Sequence, residues 1–407
     1  VIVTLDELDR DPHPLLARMR AASPVCWVPE AGGWLVTGYA AATEVLLDAA
    51  TFTVDDPRFT TARVTGASML SLDGAEHARH RGAFARAFRP AGAGQWLGGS
   101  IRAEAARLTA AIRPPGQAEL RTAFAGPLAA AVMAQALGLT PIGIPPGTVL
   151  AWYRDIVAAV AALPAGEPAS AQPTAAGPPG NAGAPGKAGA ATAAAATVPV
   201  ASFAELAAGV RAAIASGRSP LLAAATADGG LSAGEVTSNA AVVLFGGIET
   251  TEGMICNAVL EMLRQPDSLR VEDWDLDLIP GLVEESLRIE PAAAVVDRYA
   301  TRDVTLAGAG IRAGDLVRVS ITGANRDPED FADPDRFDPR RPEAARHLAF
   351  ARGPHFCIGA HLARLEAVTA LTALRTGLPG LRLAPDRQAE VRGLVFRKPS
   401  ELHVRWD

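Results

Sequence analysis

Phe350-Ala351-Arg352-Gly353-Pro354-His355-Phe356-Cys357-Ile358-Gly359 is the stretch whose reading decides the fold. Cys357 sits late in a Gly- and Pro-containing loop, directly before an apolar run with helical spacing, Ile358 to Leu378. A thiol at a helix N-terminus meets backbone N–H groups and the positive end of the helix dipole, which favour the thiolate. A thiolate in such a constrained loop suits axial ligation of a haem iron. Gly353 supplies unusual backbone angles, and Gly359 lets a flat macrocycle approach the main chain. The competing reading is a buried structural cysteine, the ordinary state of a lone Cys. The window alone favours the ligand.

Composition narrows the classes. The 407 residues are enough for a large core, and a hydrophobic content of 49% is that of a globular protein. A net charge of −6 gives a nucleic-acid role no electrostatic support. Cys26, Cys256 and Cys357 are widely spaced, with neither a disulfide framework nor zinc-ligand spacing, and three cysteines are too few for an all-cysteine iron–sulfur site. A reducing, cytoplasmic setting is expected. Val1 to Arg10 lacks a basic-then-apolar leader pattern, and the longest apolar run, Ala123 to Leu139, is too short to span a bilayer. Positive charge is almost all Arg, with Lys187 and Lys398 the only lysines.

Outward from the Cys loop, helical periodicity predicts helices opening at Asp11-Pro-His-Pro14 and over Tyr39–Leu47, Glu76–Phe88, Ile101–Ile112, Pro127–Leu137, Val149–Ala162 and Phe203–Ile214. Val25–Val28 and Trp34–Thr37 flank Pro29-Glu-Ala-Gly-Gly33 as strand, turn and strand. Thr51 to Leu72 is irregular and reads as functional or mobile. Pro164 to Pro199, almost wholly Ala, Gly, Pro, Ser and Thr, cannot bury enough side chain to offset ordering and is expected to be a mobile loop. Ser232-Ala-Gly-Glu235 matches a capping box opening the longest helical signal, which runs to about Arg264 with Pro266 closing it. Inside that helix Gly246-Gly-Ile-Glu-Thr-Thr251 weakens it beside an acid and two hydroxyls. Glu285 and Arg288 share a helix face on Ile279–Arg288. Val304–Leu306, Leu316–Ser320 and Leu402–Trp406 read as strands.

Taken together, these pieces resemble a soluble bacterial cytochrome P450 over essentially the whole chain apart from Pro164–Pro199. Four signatures carry the likeness: the Phe-x-x-Gly-x-His-x-Cys-x-Gly loop, the Gly246-Gly-Ile-Glu-Thr250 step, Glu285-Ser-Leu-Arg288, and Arg336 in Asp-Pro-Asp-Arg-Phe. The resemblance implies a mainly α fold with a smaller β-rich part (α+β), a single domain over 1–407, and haem b between a long distal helix and the Cys-loop helix. It places Cys357 as the iron ligand, beside Gly359, with His77, Arg81, Arg298 and His355 at the haem carboxylates. It makes Glu285, Arg288 and Arg336 a buried structural network. Ala351 departs from the pattern, which usually has Gly there, and carries a stability cost if its φ is positive.

By the same resemblance Glu249 and Thr250 relay protons toward dioxygen, with Thr251 as the alternate hydroxyl, and the reaction is insertion of one oxygen atom into a C–H bond. Val242, Phe245, Gly246, Ala294, Val295 and Phe396, with the Thr51–Leu72 stretch and the Leu394–Phe396 turn, are the pocket candidates. They are mostly apolar, which points to a lipophilic small-molecule substrate, in the manner of a secondary metabolite. No flavin or nucleotide motif is present, so electrons are expected from NAD(P)H through ferredoxin reductase and ferredoxin. Arg79, Arg86, Arg89 and Arg352 are the candidate docking patch, against a reading as scattered surface arginines. The rivals are oxidative coupling, desaturation or peroxide-driven oxidation on the same haem, and a haem sensor or carrier without turnover.

Overall fold

The computed structural model describes residues 3–162, 200–227, 230–265 and 275–407, without the side chains of 90–95 and 161–162. The expected loop Pro164–Pro199 and the stop at Pro266 lie outside them. Among the described residues, no helix is long and apolar enough to cross a membrane.

The central element is the helix Ala233–Leu263, about 45 Å long at 1.5 Å per residue. The Ser232 hydroxyl accepts the Glu235 N–H while the Glu235 carboxylate accepts the Ser232 N–H, so both halves of the expected box are made. Its apolar residues recur on every side because it is enclosed by other helices. Gly126–Ala136 crosses it, and at the crossing a Cβ on Gly247 would collide with the Met133 thioether. Glycine there sets how closely the two helices approach.

Beneath the central helix runs Ala360–Gly377, continuing from the Cys loop and packing on Pro90–Ile112. A five-stranded sheet closes a third side, in the order Val25–Val28, Gly33–Val36, Leu316–Ser320, Val295–Ala300, Phe52–Thr53. Gly33–Val36 and Leu316–Ser320 are parallel; the other pairings are antiparallel. Val36, Val317 and Val319 fill a second core between this sheet and Tyr39–Leu47.

Four differences from the sequence reading have local causes. The helix ending at Ile112 starts at Pro90, with Pro at its first position, although the Gly-rich Pro90–Gly99 segment weakens the helical signal. Val295–Ala300 is a strand that its internal Asp297 and Arg298 hid. Pro220–Thr226, capped by the Ser219 hydroxyl, is a further short helix. The irregular Thr51–Leu72 stretch contains the short helix Thr60–Thr65 and is tied down at Met69, whose N–H donates to Asn239 Oδ1 at 2.9 Å.

Candidate active site

Cys357 closes its own loop. Its N–H donates to the Phe350 carbonyl at 2.9 Å, and the Gly359 N–H bonds to its sulfur. Burial pushes the thiol above its usual range, and the Gly359 N–H, Arg81 and Arg364 pull the other way without overcoming it. Burial thus outweighs the local donors, against the expectation that the helix N-terminus favours the thiolate. A bound metal reverses that balance, because a coordinating thiol is deprotonated outright.

Ala351 has φ +56°, in the region that favours glycine. Ala351→Gly is expected to stabilise the protein by up to about 1 kcal/mol, relief of the strained backbone being partly offset by a more flexible unfolded chain. Urea unfolding of the two proteins measures this, and a less stable glycine variant would contradict it.

Above the loop lies a cavity of about 1620 Å³, with Cys357, Ile358 and Gly359 on one wall and Val242, Phe245, Gly246, Thr250 and Thr251 on the other. Val295 and Phe396 line it as well, and Phe396 meets Phe245 edge-on with ring centres 5.4 Å apart. Ala294 does not: it is buried behind this wall, its N–H donated to Val395 and its carbonyl accepting from Ile321. Gly246 faces open space, where a Cβ would meet nothing within 4 Å. The irregular stretch supplies Phe59, Met69 and Leu70, and the final turn supplies Val395.

The two hydroxyls differ. Thr250 donates to the Gly246 carbonyl at 2.6 Å and is partly accessible from the cavity, whereas Thr251 is 2% exposed. Glu249 does not line the cavity. Its carboxylate bonds Lys398 Nζ at 2.7 Å, and the same ammonium holds Glu252 at 2.9 Å, which in turn takes Arg121 Nε at 2.6 Å. Sequence reasoning passed over Lys398; its one signal was being an isolated lysine in a chain whose other cations are nearly all arginine.

Beside the cavity, His355 bonds Asp73 Oδ1 at 2.7 Å, and its ring lies 4.3 Å from that of His77. Burial alone would raise the Asp73 carboxyl, but bonds from His355, Thr53 and the Val54 N–H hold it at about 2. Burial lowers His77 to about 4, helped by the His355 and Arg81 charges, and its Nε2 has no partner. Arg81 donates to the Phe356 carbonyl at 2.6 Å. Burial takes Arg298 down to about 10, opposed by Asp73 and Asp297, and its one side-chain bond is to the Asp297 carbonyl.

Behind the Cys-side helix, Arg288 donates to both Glu285 oxygens, at 2.7 and 2.8 Å, with both side chains fully buried. The third member is Arg341, not Arg336. Arg341 Nε reaches Glu285 Oε1 at 3.0 Å, while the Arg336 side chain is 64% exposed and pairs with Asp338. Arg336 contributes only its carbonyl, which accepts from Arg288 and Arg341. The turn running from Asp333 carries both arginines close together, and only the folded turn decides which side chain points inward.

A family model described as Cytochrome P450 matches residues 274–375. The chain is 33% identical to "Cytochrome P450 monooxygenase PikC" of Streptomyces venezuelae, over 97% of this chain and 91% of that relative. It belongs to the cytochrome P450 family. It is 32% identical to the "Nocardicin C N-oxygenase" of Nocardia uniformis subsp. tsuyamanensis, covering 98% of this chain and 97% of the relative. Among solved structures, cytochrome P450 CYP109Q5 from Chondromyces apiculatus superposes with a TM-score of 0.81 at 29% identity, covering 100% of this chain and 97% of that one. The hydroxylase HmtN, a post-tailoring enzyme of himastatin biosynthesis, gives 0.78 at 29%, covering 98% of both chains.

As a cytochrome P450, the chain is a haem-thiolate monooxygenase, and its residues fit that cofactor. The nearly unbonded, buried Arg298 is a cation awaiting an acid, which a haem carboxylate supplies, and the orphaned His77 Nε2 can donate to one in the tautomer that protonates it. The open face of Gly246 leaves room above the Cys357 wall.

Proposed function

We propose that this cytochrome P450 inserts one atom of dioxygen into a C–H bond of a lipophilic secondary metabolite, using electrons delivered from NAD(P)H by a ferredoxin reductase and a ferredoxin. The observation that carries this reading is the apolar cavity set between the Cys357 loop and the hydroxyl of Thr250. The monooxygenase PikC and the hydroxylase HmtN support it, and the nocardicin N-oxygenase supports oxygen transfer while placing its oxygen on nitrogen.

Cys357 would hold the iron, and Arg81, Arg298 and His355, all at the cavity wall, the haem carboxylates, with Asp73 orienting His355; His77 stands beside the His355 ring, off the cavity lining, and would reach a carboxylate only past it. Bound there, the haem supplies dioxygen activation, with thiolate electron density favouring O–O cleavage. Thr250 keeps its proton pointed at the Gly246 carbonyl and presents its oxygen lone pairs to the cavity, so it can accept and pass on a proton. Glu249 is the nearest acid in sequence, and its participation requires its carboxylate to leave Lys398. Phe245, Phe396, Val242 and Met69 exclude water and bind the substrate body.

For electron delivery, Arg86 and Arg89 are exposed and suit an acidic ferredoxin. Arg79 is already neutralised by Glu76 and Glu235, so the docking patch loses that member; Arg352, held by the neutral Tyr39 hydroxyl and Arg346 carbonyl, keeps its charge. The test is turnover of a panel of lipophilic metabolites with NAD(P)H, ferredoxin reductase, ferredoxin and isotopically labelled dioxygen. The expected product carries one labelled oxygen. Product without label would overturn the reading.

A further inference from the structure

Asp297 and Arg318 face each other directly across the antiparallel strands Val295–Ala300 and Leu316–Ser320, and both line the cavity. Asp297 Oδ1 lies 3.7 Å from Arg318 Nε, too far for a hydrogen bond, and both atoms are buried without a partner. Among the described residues, neither side chain makes a hydrogen bond. The Asp297 side chain is nonetheless 29% accessible; since Oδ1 is buried, that surface lies on its other atoms, within a cavity wall. Burial raises the carboxyl's pKa, against the pull of Arg318 and Arg298. Two strand positions on, Tyr299 shares the face of Asp297, and the Arg58 guanidinium lies 4.3 Å over its ring at the same wall. Alternation puts the Arg298 side chain on the opposite face, opposite Val317, so it does not hydrogen-bond either side chain of this pair, although it lines the same cavity and its charge reaches Asp297.

A half-buried charged pair kept without hydrogen bonds is costly. Buried polar groups are ordinarily satisfied, and here the missing partner is something that enters the cavity. A carboxylate beside a guanidinium is neutral overall and offers an acceptor next to a donor. A ligand carboxylate would satisfy Arg318 and be repelled by Asp297; an ammonium would do the reverse. An amide matches both at once, its N–H to the carboxylate and its C=O to the guanidinium.

We propose that Asp297 and Arg318 form a polar subsite that binds an amide group on an otherwise lipophilic substrate. This deepens the monooxygenase reading and rests on it for the cavity being the substrate pocket. The test is calorimetric titration of the haem-loaded protein with dodecanamide, methyl dodecanoate and dodecanoic acid. These share a chain and differ in the head group. Wild type is expected to bind the amide at least about tenfold more tightly than the ester, since hydrogen bonds to charged groups are the strong ones. The Asp297→Leu/Arg318→Leu double variant, which removes both charges together and so leaves neither buried alone, is expected to fold, keep its haem spectrum and lose the preference. Equal binding of amide and ester by wild type, or a preference retained in the double variant, would overturn the subsite. Binding is read without turnover, so a failed subsite with labelled oxygen still incorporated leaves the monooxygenase standing. The amide preference without oxygen incorporation from any substrate sinks the monooxygenase and keeps the subsite.

Discussion

Glu285→Gln is expected to destabilise the protein by about 3–5 kcal/mol, the loss that follows when one partner of a buried ion pair is removed. Glu285 accepts from Arg288 twice, from Arg341 and from the Asp338 N–H, so the neutral amide would leave two fully or nearly buried guanidiniums without a counter-charge. The carbonyls of Asn325, Pro334 and Ala332 that also bind these arginines cannot neutralise them. Arg341→Ala should fall in the same class. Arg336→Ala should stay within about 0.5 kcal/mol of wild type, because its exposed side chain does not reach Glu285 and its carbonyl survives the change. Denaturant unfolding and the fraction of protein recovered with haem measure all three. A Glu285→Gln protein as stable as wild type, or an Arg336→Ala protein as damaged as Arg341→Ala, would contradict this network.

Thr250→Ala should lower product formation about 100-fold or more while NAD(P)H is still consumed and hydrogen peroxide is released. Proton transfer by a placed side chain contributes on this scale, and the variant removes the hydroxyl and leaves the cavity walls in place. Thr250→Ser, which keeps an oxygen at the same turn, should recover much of the coupling. Thr251→Ala should have a smaller effect, its side chain being almost wholly enclosed. The ratio of peroxide to product per NAD(P)H reads each case. Full coupling in Thr250→Ala would remove that residue from proton delivery.

What the sequence made legible was local. The Cys loop, the capping box at Ser232 and the edges of Tyr39–Leu47, Val304–Leu306 and Leu316–Ser320 depend on nearest neighbours, so short windows carry them. Lys398 was hidden because it reaches Glu249 from the far end of the chain. The choice of Arg341 over Arg336 depends on how one turn packs behind the Cys-side helix, and either arginine satisfies the same sequence pattern. Asp297 and Arg318 were invisible for a similar reason: strand register places them opposite each other, and register is a property of the assembled sheet. Ala351 stands between these cases. The motif marked the residue, and only the folded loop supplied its positive φ.

The ligand of the iron is the claim that everything above depends on, and the most direct measurement is the absorption spectrum of the dithionite-reduced protein under carbon monoxide. Ligation by Cys357 predicts the strongly red-shifted Soret band of sulfur-bound haem, absent from Cys357→Ser. A wild-type band at the position given by nitrogen-ligated haem, or a red-shifted band that survives in Cys357→Ser, would contradict the account.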